Sequence, residues 1–79
     1  MKMTVKLPRL GDTVDEVHVL EWLKQPGDVV AVGDPLMSVE TDKATVDVPS
    51  PVAGTLAECL VTAGQDIATG DPVAVLDAD

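Results

Sequence analysis

VLEWLKQPGDVVAVGDPLMSVETD, residues 19–42, lies without a gap over LAECLVTAGQDIATGDPVAVLDAD, residues 56–79. Glu21 meets Glu58, Leu23 meets Leu60, Gly27 meets Gly64, and Gly33-Asp34-Pro35 meets Gly70-Asp71-Pro72. Chance does not readily produce that run, so the chain holds two copies of one unit, 37 residues apart. Each copy reads as a strand of about seven residues, a glycine turn, a short apolar stretch, Gly-Asp-Pro and a second strand. Gly27 and Gly64 are expected to supply positive φ. Pro35 and Pro72 each open a strand, where a missing amide donor does least harm. With a strand at Thr4–Leu7 and another at Ala44–Val48, the two copies give about eight short strands and no helix. The expected fold is all-β: a flattened barrel-sandwich of two four-stranded antiparallel sheets with internal pseudo-twofold symmetry, one domain over residues 1–79.

The first copy runs into Glu40-Thr41-Asp42-Lys43-Ala44. Segments 35–41 and 45–49 carry β-branched residues and are bounded by turn formers, so they read as a hairpin with Asp42-Lys43 at its tip. Two-residue hairpin loops usually want glycine or asparagine, because the favoured turns need φ > 0. A loop built on a type I turn, with Asp at its start, accepts the residues present. The five residues alone leave two readings open: Lys43 is a solubilising turn residue, or it is a long-stemmed amine presented to a partner. Asp42 matches Asp79, so the Lys43 turn is the pseudosymmetric counterpart of the C-terminus. A twofold in the plane of the sandwich puts the two at opposite ends.

Composition narrows the function. Fourteen valines, one tryptophan and no phenylalanine or tyrosine mean a core of Val, Leu and Ala, and β-branched residues suit strands. Five basic residues against fourteen acidic give a net charge of −9. That balance disfavours nucleic acid and anionic membranes, which need clustered Lys and Arg. It favours solubility and steering toward a basic partner. Cys59 is the single cysteine, so an intrachain disulfide is excluded. A lone His18 argues against a metal site, and no Ser-His-Asp or Cys-His constellation can be assembled. Trp22 and Cys59 align across the repeat and are expected to pack in the interior. No apolar run reaches membrane-spanning length, and Met1-Lys2-Met3 leads into a strand rather than a signal sequence. A soluble intracellular protein, monomeric as an isolated domain, is the expectation.

The order and spacing of several motifs resemble one family over essentially the whole chain. They are Val5-Lys6-Leu7-Pro8, Leu10-Gly11-Asp12-Thr13-Val14-Asp15-Glu16, Glu21-Trp22-Leu23-Lys24-Gln25-Pro26-Gly27-Asp28, Glu40-Thr41-Asp42-Lys43-Ala44, Val48-Pro49-Ser50-Pro51 and Gly54. The chain resembles the lipoyl domains of dihydrolipoyl acyltransferases in 2-oxo acid dehydrogenase complexes. The resemblance implies a non-catalytic carrier with lipoate amide-linked to Lys43 by a lipoate ligase or lipoyltransferase. It further implies reductive acylation by a thiamine-diphosphate-dependent 2-oxo acid dehydrogenase. Transfer to coenzyme A follows at the acyltransferase catalytic domain, and dihydrolipoyl dehydrogenase reoxidises the arm. Asp42 and Ala44 flank the modified lysine in this family and are expected to help a ligase read the turn. Glu40 either contributes to that recognition or is a solvated strand residue. The loop Arg9 to Asp15, with Arg9, Leu10, Gly11 and Asp12, is expected beside the lysine turn, where the dehydrogenase docks.

Three related readings fit less well. Biotin carrier domains set their lysine between methionines, whereas Asp42 and Ala44 stand here. The lipoylated glycine-cleavage carrier is longer. Structural barrel-sandwich modules of the efflux-adaptor kind carry a long helical hairpin between their halves, for which residues 42–54 have no room; an unmodified docking module stays open, and the modification state of Lys43 decides it. The chain stops where the second copy ends, so it is expected to be one module of a larger acyltransferase. Its compartment is then the bacterial cytoplasm or the mitochondrial matrix.

Overall fold

A computed structural model describes residues 1–10 and 15–78. Eight strands follow in order: β1 Lys2–Lys6, β2 Glu16–Trp22, β3 Val29–Val30, β4 Pro35–Glu40, β5 Thr45–Pro49, β6 Gly54–Cys59, β7 Asp66–Ala68 and β8 Pro72–Asp77. They build two four-stranded antiparallel sheets. Sheet A has the order β1-β8-β6-β3, and sheet B has β5-β4-β2-β7. The all-β sandwich expected from the sequence is therefore the fold.

Replacing β1, β8, β6 and β3 by β5, β4, β2 and β7 turns sheet A into sheet B, which is the pseudo-twofold written as topology. Register obeys it closely. His18 faces Glu40 and Val19 faces Val39, while Thr55 faces Asp77 and Leu56 faces Leu76. The irregularity between Val19 and Glu21 recurs between Leu56 and Glu58. The turns match as well: the Ala31 amide donates to Asp34 Oδ2 and the Ala68 amide to Asp71 Oδ2, both at 2.9 Å.

Positive φ occurs at Gly27 (100°) and Gly64 (91°), as the sequence suggested, and also at Gly33 (88°) and Gly70 (92°). The second pair was not foreseen. The amides of Asp34 and Asp71 close four-residue turns onto Ala31 and Ala68, and the glycine is the third residue of each. A turn with φ > 0 at that position is the type II geometry, which selects glycine. The aspartate carboxylate then caps the amide three residues before it.

Two strand boundaries differ from expectation. The first strand is Lys2–Lys6 rather than Thr4–Leu7, because the register shifts between Val5 and Lys6 and takes Leu7 out of the ladder. Leu7 instead exchanges backbone hydrogen bonds with Asp71 and Gly70 across the next turn. The fifth strand begins at Thr45 and ends at Pro49, because Ala44 belongs to the loop that Thr41 closes.

One core lies between the sheets. Leu36, Met37, Val39, Val48, Leu56, Val73 and Leu76 are wholly buried, and Val5, Val17, Val19, Val30 and Ile67 complete it from both copies. Trp22 and Cys59 pack against its edge. The molecule measures 35 × 22 × 17 Å. Glu40 ends β4 at one end of sheet B, and Glu16 and Ala68 lie beyond it in the same direction. The turn after Ala68 leads into Pro72, which faces Lys6, so that end of sheet A adjoins the Glu40 end of sheet B. Lys2 and Asp77 therefore lie at the far end, away from the Lys43 turn. There Met1 and Ala78 bond to each other at 2.7 and 2.8 Å.

Candidate functional site

The β4–β5 hairpin closes on Thr41, not on Asp42. The Thr41 amide donates to the Ala44 carbonyl at 2.8 Å, and the Thr41 hydroxyl donates to the same carbonyl at 3.0 Å. That hydroxyl also accepts from the amides of Ala44 (3.1 Å) and Lys43 (3.3 Å). Asp42 and Lys43 are thus the two central residues, and neither has positive φ. The absence of positive φ excludes the primed turns, as expected, and Thr41 stands at the start of the loop in the position assigned to Asp42. Thr supplies the side-chain-to-backbone closure that Asp would otherwise make.

Asp42, Lys43 and Ala44 are all exposed. Among the described residues nothing pairs with the Lys43 ammonium. The tip therefore holds a free primary amine on a backbone fixed by one hydroxyl and flanked by small or acidic neighbours. Such a group suits attachment of a carboxylic acid through an amide bond. Glu40 is exposed at the last residue of β4 and faces His18 and Thr45. His18 Nδ1 lies 2.7 Å from Asp66 Oδ1 across the next ladder.

The connection from β1 to β2 emerges at the same end as Lys43. Arg9 Nη1 lies 3.8 Å from Asp15 Oδ1, and the Asp15 carbonyl accepts from the Thr69 amide at 2.8 Å. Leu10 is half-buried and packs on the core, which anchors this segment. Gly11 and Asp12 lie outside the described residues. Arg9, Leu10 and the Lys43 turn thus share one end of the sandwich.

Away from this end, the Trp22 indole Nε1 donates to the Val61 carbonyl at 2.8 Å. Cys59 is half-buried, and burial pushes its thiol up from the ordinary range. Both are packing residues, as their alignment across the repeat suggested. Thr41 was the functional-end residue that sequence reasoning passed over. Its signal was a hydroxyl side chain four residues before a strand start, at the first position of a turn.

A family model, Biotin_lipoyl, described as "Biotin-requiring enzyme", matches residues 3–76. The dihydrolipoyllysine-residue acetyltransferase component of the pyruvate dehydrogenase complex of Corynebacterium glutamicum is 40% identical, across 100% of this chain and 12% of its own. The succinyltransferase component of the 2-oxoglutarate dehydrogenase complex of Bartonella vinsonii is 45% identical, across 85% of this chain and 16% of its own. The chain thus spans well under a fifth of the length of these relatives. Among solved structures, the lipoyl domain of the 2-oxoglutarate dehydrogenase complex of Azotobacter vinelandii superposes with a TM-score of 0.72 at 23% identity, covering 98% of this chain and 99% of that one. The urea carboxylase of Kluyveromyces lactis gives 0.83 at 21% identity, covering 98% of this chain and 6% of that one. At such identities the superpositions establish the fold.

Proposed function

The chain belongs to the biotin- and lipoyl-attachment family, and from that membership we propose that it is a lipoyl carrier domain with lipoate amide-linked to Lys43. The observation that carries this reading is the exposed Lys43 amine, without a partner among the described residues, on a hairpin tip in a chain whose relatives are named for a dihydrolipoyllysine residue. The amide forms between Nζ and the lipoate carboxyl with loss of water. A lipoyl group held there supplies a strained disulfide able to take up an acyl group with reduction and yield it to coenzyme A.

The chain's own residues supply position. Thr41 fixes the turn, so the Lys43 stem swings from a defined pivot. Tethering keeps the group it bears at high local concentration near successive active sites. The ligase or lipoyltransferase reads Lys43 with Asp42, Ala44 and Glu40. The dehydrogenase component reads the Arg9–Asp15 connection, with Arg9, Leu10, Gly11 and Asp12. Bond-making belongs to the dehydrogenase, to an acyltransferase catalytic domain in the parent chain, and to dihydrolipoyl dehydrogenase.

Intact-mass analysis and peptide mapping after co-expression with a lipoate ligase test the assignment. One lipoyl group on Lys43, and none on Lys2, Lys6 or Lys24, is the expected result. A biotin adduct, or a lipoyl group on another lysine, overturns it.

A further inference from the structure

The pseudo-twofold makes each sheet a control for the other. Residues facing each other across antiparallel strands share a face of the sheet. On the outer side of sheet A the rows run Lys2, Asp77, Thr55, Val29 and then Thr4, Val75, Glu58. Their mates on sheet B are Thr45, Glu40, His18, Asp66 and then Asp47, Ser38, Glu21. Sheet A mixes a lysine with two carboxylates. Sheet B has four carboxylates and no Lys or Arg, and exposed Glu16 extends the row beyond His18. The backbone is the same on both sides, so the fold does not require these charges. Crowded like charges on one face oppose folding rather than assist it.

A second feature marks the same face. Ser38 points outward between the buried Met37 and Val39, and faces Glu21 on one side and Asp47 on the other. It is only 8% exposed, and its hydroxyl has no hydrogen-bond partner among the described residues. Among the described residues no fully buried side-chain oxygen is left unsatisfied, so this one still opens onto the acidic face. A donor arriving between the two carboxylates would complete it.

We propose that the outer face of sheet B, centred on Ser38 and bounded by Glu21, Asp47, Glu40 and Asp66, docks a Lys- and Arg-rich surface of the dehydrogenase component that acylates the Lys43 arm. This rests on Lys43 being the lipoylated residue. The β4–β5 hairpin belongs to this sheet, so a partner seated on the face lies against the strand pair that carries the arm. Charge favours the enzyme that acts after attachment. Amide formation at Lys43 removes one positive charge, taking the balance from 5 − 14 = −9 to 4 − 14 = −10. A basic surface therefore meets a more anionic hairpin once the arm is loaded, whereas a ligase meets the unmodified amine. Rim charges of this kind govern encounter and are weakened by salt.

The test compares Glu21→Lys/Asp47→Lys with Glu58→Lys/Asp77→Lys, which changes the charge by the same amount on sheet A. Both are lipoylated, checked by mass and by thermal melting, and assayed with the dehydrogenase component that acylates the unsubstituted domain. The neutral pair Glu21→Gln/Asp47→Asn serves if the reversal impairs folding. The sheet B variant is expected to raise KM for the domain about tenfold at low salt, with kcat unchanged and the gap closing as salt rises. The sheet A variant is expected to stay within about twofold. Equal effects of the two variants, no effect of either, or a loss confined to the lipoylation step overturns the proposal. Absence of a lipoyl adduct on Lys43 overturns the reading of Lys43 itself, and is seen by mass before any acylation is measured.

Discussion

A single hydroxyl, that of Thr41, holds three backbone groups of the turn that presents Lys43. Thr41→Val keeps the β-branched shape and removes those bonds. It is expected to cost about 1 kcal/mol in urea unfolding and to slow lipoylation of Lys43, with Thr41→Ser restoring both. Lys43→Ala gives the opposite pairing of results. An exposed tip side chain contributes little packing, so stability changes by no more than about 0.5 kcal/mol while lipoylation and reductive acylation disappear. Thermal melting and an acylation assay on one preparation separate these outcomes, and a large loss of stability would mean that Lys43 is structural. Cys59 answers to pH. Desolvation raises its folded-state pKa, so folding favours the neutral thiol. That contribution is full below the thiol's unfolded pKa and is lost as pH rises through the folded value. Alkylation by iodoacetamide at mildly alkaline pH should be slower in the folded domain than in the urea-unfolded chain, and equal rates would contradict the burial. Lys43 was legible as a hairpin-tip residue because β-branched segments and turn formers bound it on both sides. Thr41 was not, because a turn threonine looks the same in sequence whether or not its hydroxyl closes the loop.

At the scale of strands and loops, the sequence was most readable where the two copies repeat. Gly-Asp-Pro marked the entries to β4 and β8 correctly, since proline fixed where each strand opens. It was least readable at β1, which has no part in the aligned repeat and whose irregular register between Val5 and Lys6 leaves no mark on composition. Register is a property of the partner strand as much as of the strand itself. Gly54 shows the same dependence. A Cβ there would sit 2.6 Å from the Asp77 carbonyl oxygen and 3.1 Å from the Ala78 Cα, both backbone atoms. Gly54→Ala must therefore push β6 from β8, at a cost of about 1–3 kcal/mol. A melting temperature indistinguishable from the unsubstituted domain would refute that close approach. The β1–β2 connection carries a functional expectation. Exchanging Arg9–Asp15 for the equivalent loop of a lipoyl domain from a different complex should lower the reductive acylation rate while leaving lipoylation nearly unchanged. If both rates fall together, or neither falls, partner choice does not reside in this connection.

The whole molecule is two copies that cannot stand apart. Strands β1 to β4 form one copy and β5 to β8 the other, yet each sheet takes two strands from each. In both sheets two of the three ladders join strands of different copies: β1 to β8 and β6 to β3, β5 to β4 and β2 to β7. Core residues from the two copies likewise form one cluster. A copy alone would have only its own inner pair, β2 with β4 or β6 with β8, and two strands seldom persist unsupported in water. The repeat visible in the sequence therefore marks symmetry, not independently folding units. That distinction could not be read from 37-residue spacing, because interleaved and side-by-side copies share it. Fragments 1–43 and 44–79 are accordingly expected to be unstructured separately by circular dichroism. The intact chain should unfold in one transition seen alike by circular dichroism and by Trp22 fluorescence. Its folding should be slow for its size, in the millisecond-to-second range, because the ladders between copies join distant parts of the chain. A fragment that folds alone, or two separate transitions in the intact domain, would show that the copies are coupled less tightly than their shared sheets require.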